Sequence, residues 1–180
     1  KGVNLVVRHR KSIRRTKKTV LIVGEGPTEK AFLRYLKELY ITRDMDVSLK
    51  VECASGGSPR NVVEKTIRLC GSRGYDKCFV LIDADVSFNG DKKLVSRMNK
   101  KPKIKILKAS PCIEGLFLLI LNHKESLTSE KCKSLFESKY LASDKKTDWR
   151  SYERIFTKQM LDDNRKTINE LNVILKAMEV

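Results

Sequence analysis

Short β-branched runs and helical spacings alternate along the first two thirds of this chain. Thr19 to Val23 (TVLIV) is apolar enough to read as a strand buried on both faces. Gly24-Glu25-Gly26 breaks it. From Pro27 to about Tyr40 the apolar residues Ala31, Phe32, Tyr35, Leu36 and Leu39 recur at helical spacing. Val47 to Cys53 alternates as a second strand, and Ser55-Gly56-Gly57 turns the chain. Ser58 to Arg73 then places Val62, Val63, Ile67 and Cys70 on one helical face. Cys78 to Ile82 is a third buried strand, ending at Asp83-Ala84-Asp85. A basic helix over about Lys92 to Lys100, a fourth strand from Ile104 to Leu107 and a helix opened by Pro111 complete the series.

Pro27, Pro59 and Pro111 each follow Gly or Ser, where proline suits a first helical position because that N–H has no partner. Pro102 is a stop between the third helix and the fourth strand. Four strand–helix repeats predict an α/β fold with a mainly parallel four-stranded sheet flanked by helices. Beyond about Thr128 the chain reads as helical. Its apolar faces are Cys132, Leu135 and Phe136, then Trp149, Tyr152 and Phe156, then Ile168, Leu171, Leu175 and Met178, all assigned to the core. The expected organisation is a basic segment (1–18), an α/β domain (19–125) and a helical extension (126–180) packed on the same domain.

With 180 residues and 41% hydrophobic content the chain suits one domain with a buried core. Its longest apolar run, Leu116 to Leu121, has six residues, far short of the roughly 20 of a membrane span. The basic N-terminus has no apolar stretch behind it, so no signal peptide is expected. Five cysteines (Cys53, Cys70, Cys78, Cys112, Cys132) are odd in number and lack CxxC spacing. They argue against a disulfide framework or a zinc site and for a reducing, cytoplasmic compartment.

Charge changes the picture more. The net charge is +16, from 38 Lys and Arg against 22 Asp and Glu. Residues 1–18 hold eight basic side chains and no acid, and residues 92–108 hold another eight and no acid, so two short segments carry the whole excess. Such segments attract polyanions by counterion release. Neither has the aromatic anchors of a membrane-surface helix, so nucleic acid, DNA or RNA, is the expected partner. Candidate contacts are Arg8, Arg10, Lys11, Arg14 and Arg15 in the first segment, and Lys92, Lys93, Arg97, Lys100, Lys101 and Lys105 in the second.

Ligands of open α/β sheets bind beyond the carboxyl ends of the strands, and acids gather there. Glu25 follows the first strand and Glu29 lies one helical turn on. Asp83 and Asp85 end the third strand, where alternation points both the same way if the strand reaches that far. Glu114 falls in the first turn of the fourth helix. Acids sharing one edge repel unless protonated or bridged by cations, and hard oxygen donors favour Mg²⁺ or Mn²⁺. Carboxylate-held cations beside a basic surface suit phosphodiester chemistry. For Glu29 and Glu114 a helix-dipole role is the alternative. Glu29 also rules out the dinucleotide fingerprint that Gly24-Glu25-Gly26 could begin, and no Gly-Lys-Ser/Thr forms a P-loop. Ser55-Gly56-Gly57-Ser58 is either a phosphate-binding turn or an ordinary one. His9 and His123 have no partner at ligand spacing.

A strand ending in Glu-Gly, a helix, and a later strand ending in Asp-x-Asp resembles the Toprim domain of topoisomerases, bacterial primases and OLD-family nucleases. Within that group the chain is similar to the RloB-like proteins of bacteria and archaea, over roughly residues 10–175. Glu25-Gly26-Pro27-Thr28-Glu29 stands beside their E-G-x-x-T-E motif with tighter spacing, and Ser110-Pro111-Cys112-Ile113-Glu114 beside their S-N-P-x-x-E motif. The resemblance implies a Toprim-type, Rossmann-like fold and Mg²⁺-dependent (or Mn²⁺-dependent) cleavage of nucleic acid. It implies Glu25 as metal ligand or general acid/base, Asp83 and Asp85 as ligands, and Glu29 and Glu114 as additional ligands. A catalytic lysine near the fourth strand would be Lys108 or Lys105. A role in phage defence, a partner ATPase and a homo-oligomer are further implications. Leu116 and Ile120 depart from the family, standing where Trp and His are expected. A non-catalytic nucleic-acid-binding module, or a subunit activated only by a partner ATPase, stays open.

Overall fold

The computed structural model describes residues 16–85, 88 and 90–180. Arg8, His9, Arg10, Lys11, Arg14 and Arg15 lie outside the described residues. Four strands, β1 (Lys18–Gly24), β2 (Val47–Cys53), β3 (Lys77–Asp83) and β4 (Ile104–Ala109), form one sheet in the order β2-β1-β3-β4. Every pairing is parallel. The helices are α1 (Pro27–Tyr40), α2 (Pro59–Arg73), α3 (Lys92–Met98), α4 (Ile113–Ile120), α5 (Ser129–Lys139), α6 (Lys158–Asn164) and α7 (Asn169–Ala177). Two 3₁₀ segments, Ser143–Lys145 and Trp149–Arg154, link α5 to α6.

Alternation along each strand divides the core into two layers. Leu21, Val23, Cys78, Val80, Ile82 and Ile104 pack with Val62 and Val63 of α2 and Leu94 and Met98 of α3. Val20, Ile22, Phe79, Leu81, Leu107 and Ala109 face α1 and the helices from α4 onward. Both faces of β1 are therefore covered, which explains its unbroken apolar run. The second layer has an aromatic centre. Phe32 and Phe117 meet each other, Tyr152 and Phe156 at tilted or edge-on angles, with Phe32 and Phe117 only 4.7 Å apart, while Tyr152 and Phe156 stack on one another. Because Tyr152 and Phe156 belong to this centre, the helical extension is part of the same core.

Several local expectations change. Pro27 and Pro59 take first helical positions. Pro111 does not: it precedes the N-cap Cys112 and follows a cis peptide bond. A Cβ on Gly115 would lie 2.5 Å from Pro111 Cδ, so the chain folds back across the start of α4 and needs glycine there. The basic helix is shorter than expected, running from the N-cap Asp91 to Met98. β3 stops at Asp83, because Ala84 N donates to Ala109 O (2.8 Å) and Asp85 N donates to Pro111 O (3.1 Å). Asp85 therefore leaves the strand and does not share the alternation of Asp83. Cys70 and Cys78 are joined by a disulfide, since the end of α2 returns across the start of β3. Their separation of eight residues carries no local motif, and the cysteines no longer argue for a reducing compartment. No helix among the described residues is long and apolar enough to cross a membrane.

Candidate functional site

From β1 the chain passes through α1 to β2 on one side, while α2 leads to β3 on the other. The crevice beyond the carboxyl ends of β1 and β3 is the topological switch point, where ligands of such sheets bind. Glu25 and Asp83 flank it. Glu25 Oε2 accepts from Asp83 N at 3.4 Å, and Asp83 Oδ1 accepts from Ile113 N at 3.1 Å. Asp83 thus caps α4, where the helix dipole favours an anion.

Glu29 is buried and turns back, its Oε2 accepting from Gly26 N at 2.7 Å. A Cβ on Gly24 would fall 2.6 Å from Glu29 Cβ, so glycine at the end of β1 admits this packing. Glu114 lies deeper, with a side chain only 3% exposed. Its Oε1 accepts from Lys146 Nζ at 2.7 Å, while its Oε2 is buried with no hydrogen-bond partner. Lys146 also meets Glu137 at 2.6 Å, and its carbonyl accepts from the Tyr152 hydroxyl at 2.9 Å. Asp85 is exposed and accepts from the hydroxyl of Ser129, the first residue of α5.

Burial, then repulsion from Glu29 and Glu25, pushes the Asp83 carboxyl up to about 7; Lys133 opposes this and Glu114 adds to it. Burial also raises Glu29; hydrogen bonds to backbone N–H groups oppose the rise, and Glu114 and Glu25 add to it. At Lys133, burial acts to lower the pKa, but Glu114 and Asp83, with lesser help from Cys112 and Asp85, more than offset it, so the ammonium is favoured. Glu25, Glu29, Asp83 and Glu114 therefore form one electrostatic group with Lys133 at its side. Among the described residues, no group of three or more His, Cys, Asp or Glu side chains is arranged to hold a metal ion. One oxygen of each of three candidates is engaged: Glu29 by Gly26, Glu114 by Lys146 and Asp85 by Ser129.

A family profile, described as RloB-like protein, matches residues 20–179. The chain belongs to the RloB-like family. No curated protein and no solved structure matches it significantly. The family region takes in all four strands and the extension through α7, so the lysines of the extension stand inside it.

In this RloB-like chain Lys108 is exposed on β4, opposite Ile82 in register. It alternates with Leu107 and so shares the α2–α3 face with Ile104 and Ile106, whereas Asp83 follows Phe79 and Leu81 on the other face. Lys105 lies on the Asp83 face but two residues before Leu107, further from the carboxyl edge. The cations that reach the carboxylates are instead Lys133 and Lys146. No spacing or motif marked either of them. Leu116 and Ile120 are fully buried core residues. Gly56 N donates to Glu25 O at 3.0 Å, so the glycine turn braces the site and has that N–H engaged. His123 is not alone, since its Nε2 pairs with the Tyr140 hydroxyl at 2.6 Å.

The second basic segment is split by the topology. α3 leaves the carboxyl end of β3 and returns to the amino end of β4, anchored by Leu94 and Met98. Lys92 and Lys93 are exposed at its start, on the side of the site; Arg97, half-buried, and exposed Lys100 and Lys101 lie towards the opposite edge.

Proposed function

We propose that this RloB-like chain hydrolyses phosphodiester bonds of nucleic acid, using a divalent cation at Glu25 and Asp83. The observation that carries the reading is that the Glu25 carboxylate rests on the Asp83 backbone N–H at the switch point, where burial, Glu29 and Glu25 raise the Asp83 carboxyl. The donors fit a hard cation: all are oxygens, and Mg²⁺ is commonly held by one or two carboxylates with water completing its shell. The unpartnered Glu114 Oε2 is a further buried oxygen in the same group. When bound, the ion supplies Lewis acidity toward a phosphoryl oxygen and an activated water. Lys133 offers positive charge to the phosphate beside Asp83, and Lys92 and Lys93 offer contacts to the flanking backbone. Phage defence, as the family resemblance implies, is the proposed setting.

Incubation with single- and double-stranded DNA and RNA tests the reading. Cleavage is expected with Mg²⁺ or Mn²⁺ and none with EDTA. Salt-sensitive binding with no turnover under any condition would leave a binding module, and cutting only after a partner ATPase is added would make the chain a subunit. In the same assay, replacing Lys92 and Lys93 by Gln is expected to reduce the salt slope of duplex binding by roughly 0.9 for each phosphate no longer neutralised. An unchanged slope would remove them from the interface.

A further inference from the structure

We propose that a cationic cavity at the amino-terminal edge of the sheet is a second nucleic-acid contact, holding sugar–phosphate backbone away from the carboxylates. The inference rests on the nucleic-acid partner in the reading above, and not on metal or cleavage. The cavity, about 390 Å³, opens between the end of α2 and the turn that leads into β4. Ile67, Pro102 and Ile104 give it apolar walls, and Arg97, Lys100 and Lys101 bring three cations to it. No acidic side chain lines it, and among the described residues none of the three cations has an ion-pair partner. Gly71 and Gly74 also line it, and a Cβ on either would meet nothing within 4 Å, so this side is open.

Charge and walls together select the ligand. Three cations without a counter-charge attract a polyanion, and the apolar walls suit the sugar faces between successive phosphates. The fold fixes the place of these cations. Leu94 and Met98 anchor α3 on the sheet, and the chain that leaves the helix carries Lys100 and Lys101 to the start of β4. They are the far end of a basic line that begins with Lys92 and Lys93 on the side of the site. β3 runs seven residues between the two edges, about 20 Å, or about six nucleotide steps of roughly 3.4 Å. One phosphate therefore cannot touch both the carboxylates and this cavity. An extended nucleic acid meets both ends of the line, whereas a short acidic peptide meets only one.

Binding of a labelled DNA or RNA single strand of about 20 nucleotides, long enough to span both edges, tests the contact by fluorescence anisotropy in EDTA across a salt series. Gly71→Glu sets a carboxylate beside the cavity, in open space and in a helix that glutamate favours over glycine, so the fold is kept. It is expected to weaken binding and to lower the slope of log K against log salt by roughly 0.7, the share of one single-strand phosphate contact. Gly71→Gln, of the same size without the charge, is expected to leave both unchanged. Replacing Arg97, Lys100 and Lys101 together by Gln is expected to lower the slope by roughly 2. If that triple variant does not fold, the Gly71 pair decides. In the wild-type chain the amide resonances of Gly71, Gly74 and Lys101 are expected to shift as the strand is added. Unchanged binding by Gly71→Glu, or no shift at these amides, overturns the proposal. Polyglutamate of equal charge that binds the cavity as tightly as the strand overturns the nucleic-acid assignment. A chain whose binding depends on the cavity but which cuts nothing supports the contact and overturns only the nuclease reading. Cleavage by a chain whose binding is indifferent to the cavity overturns only the contact, and no binding to either strand overturns both.

Discussion

Asp83→Asn is expected to slow cleavage on the order of 10³-fold, the scale of removing one electrostatic group from a reacting centre, while making the folded chain more stable. Asparagine keeps an Oδ1 that can accept from Ile113 N, so the cap on α4 survives and only the charge is lost. Wild-type activity should follow that charge. With the Asp83 carboxyl at about 7, its ionised fraction falls about tenfold per pH unit below that point. Cation affinity and cleavage should therefore climb as pH rises towards 7 and level off above it.

Stability runs the other way. The ordinary carboxyl value is 3.8 and the folded value about 7, so between these the folded state binds more protons than the unfolded one. Stability then falls as pH rises through that window, and ionised Asp83 costs most above pH 7. Allowing for solvent screening at this half-buried group, Asp83→Asn should gain about 1–2 kcal/mol at pH 8 without metal. The gain should shrink as the pH falls and vanish near pH 4. Urea unfolding in EDTA at several pH values checks it. Equal stability at pH 8 would show that Asp83 bears no repulsion, and undiminished cleavage would remove it from the site.

Lys146→Met is expected to cost about 3–5 kcal/mol, the usual loss when one partner of a buried ion pair is removed. Glu114 would be left with a side chain 3% exposed and neither oxygen paired. Glu137 matters less, because its side chain is 35% exposed and can turn to water. The double variant Lys146→Met, Glu114→Leu should regain most of the loss, since an apolar pair of similar volume replaces a buried charge pair at little net cost. Urea denaturation of the two singles and the double forms a cycle. A loss under about 1 kcal/mol for Lys146→Met would class the bridge with exposed pairs, with water reaching Glu114.

Glu25 and Asp83 were legible in the sequence because one directly follows β1 and the other ends β3, and strand ends follow from periodicity. Asp85 is one step further along the same pattern, yet Ala109 and Pro111 capture the chain there and turn it away. Lys108 failed to reach Asp83 for a related reason: both lie near one edge, but strand alternation puts them on opposite faces. Pro111 had the context of a helix start, and only its packing on Gly115 shows that α4 begins two residues later.

Local physics is thus written into this sequence: β-branched runs, helical spacings, two segments of unbalanced charge, and acids at strand ends that meet once a parallel sheet forms. Those features depend on residues a few positions apart. The choice of Lys146 for Glu114 across 32 positions, of Ser129 for Asp85 across 44, and of Cys70 for Cys78 at the turn from helix to strand belongs to the folded chain alone. Many lysines and serines offer the same chemistry along the chain, and the packing of the extension against the aromatic centre determines which of them arrive at the carboxylates, as the return of α2 onto β3 determines the cysteine pair.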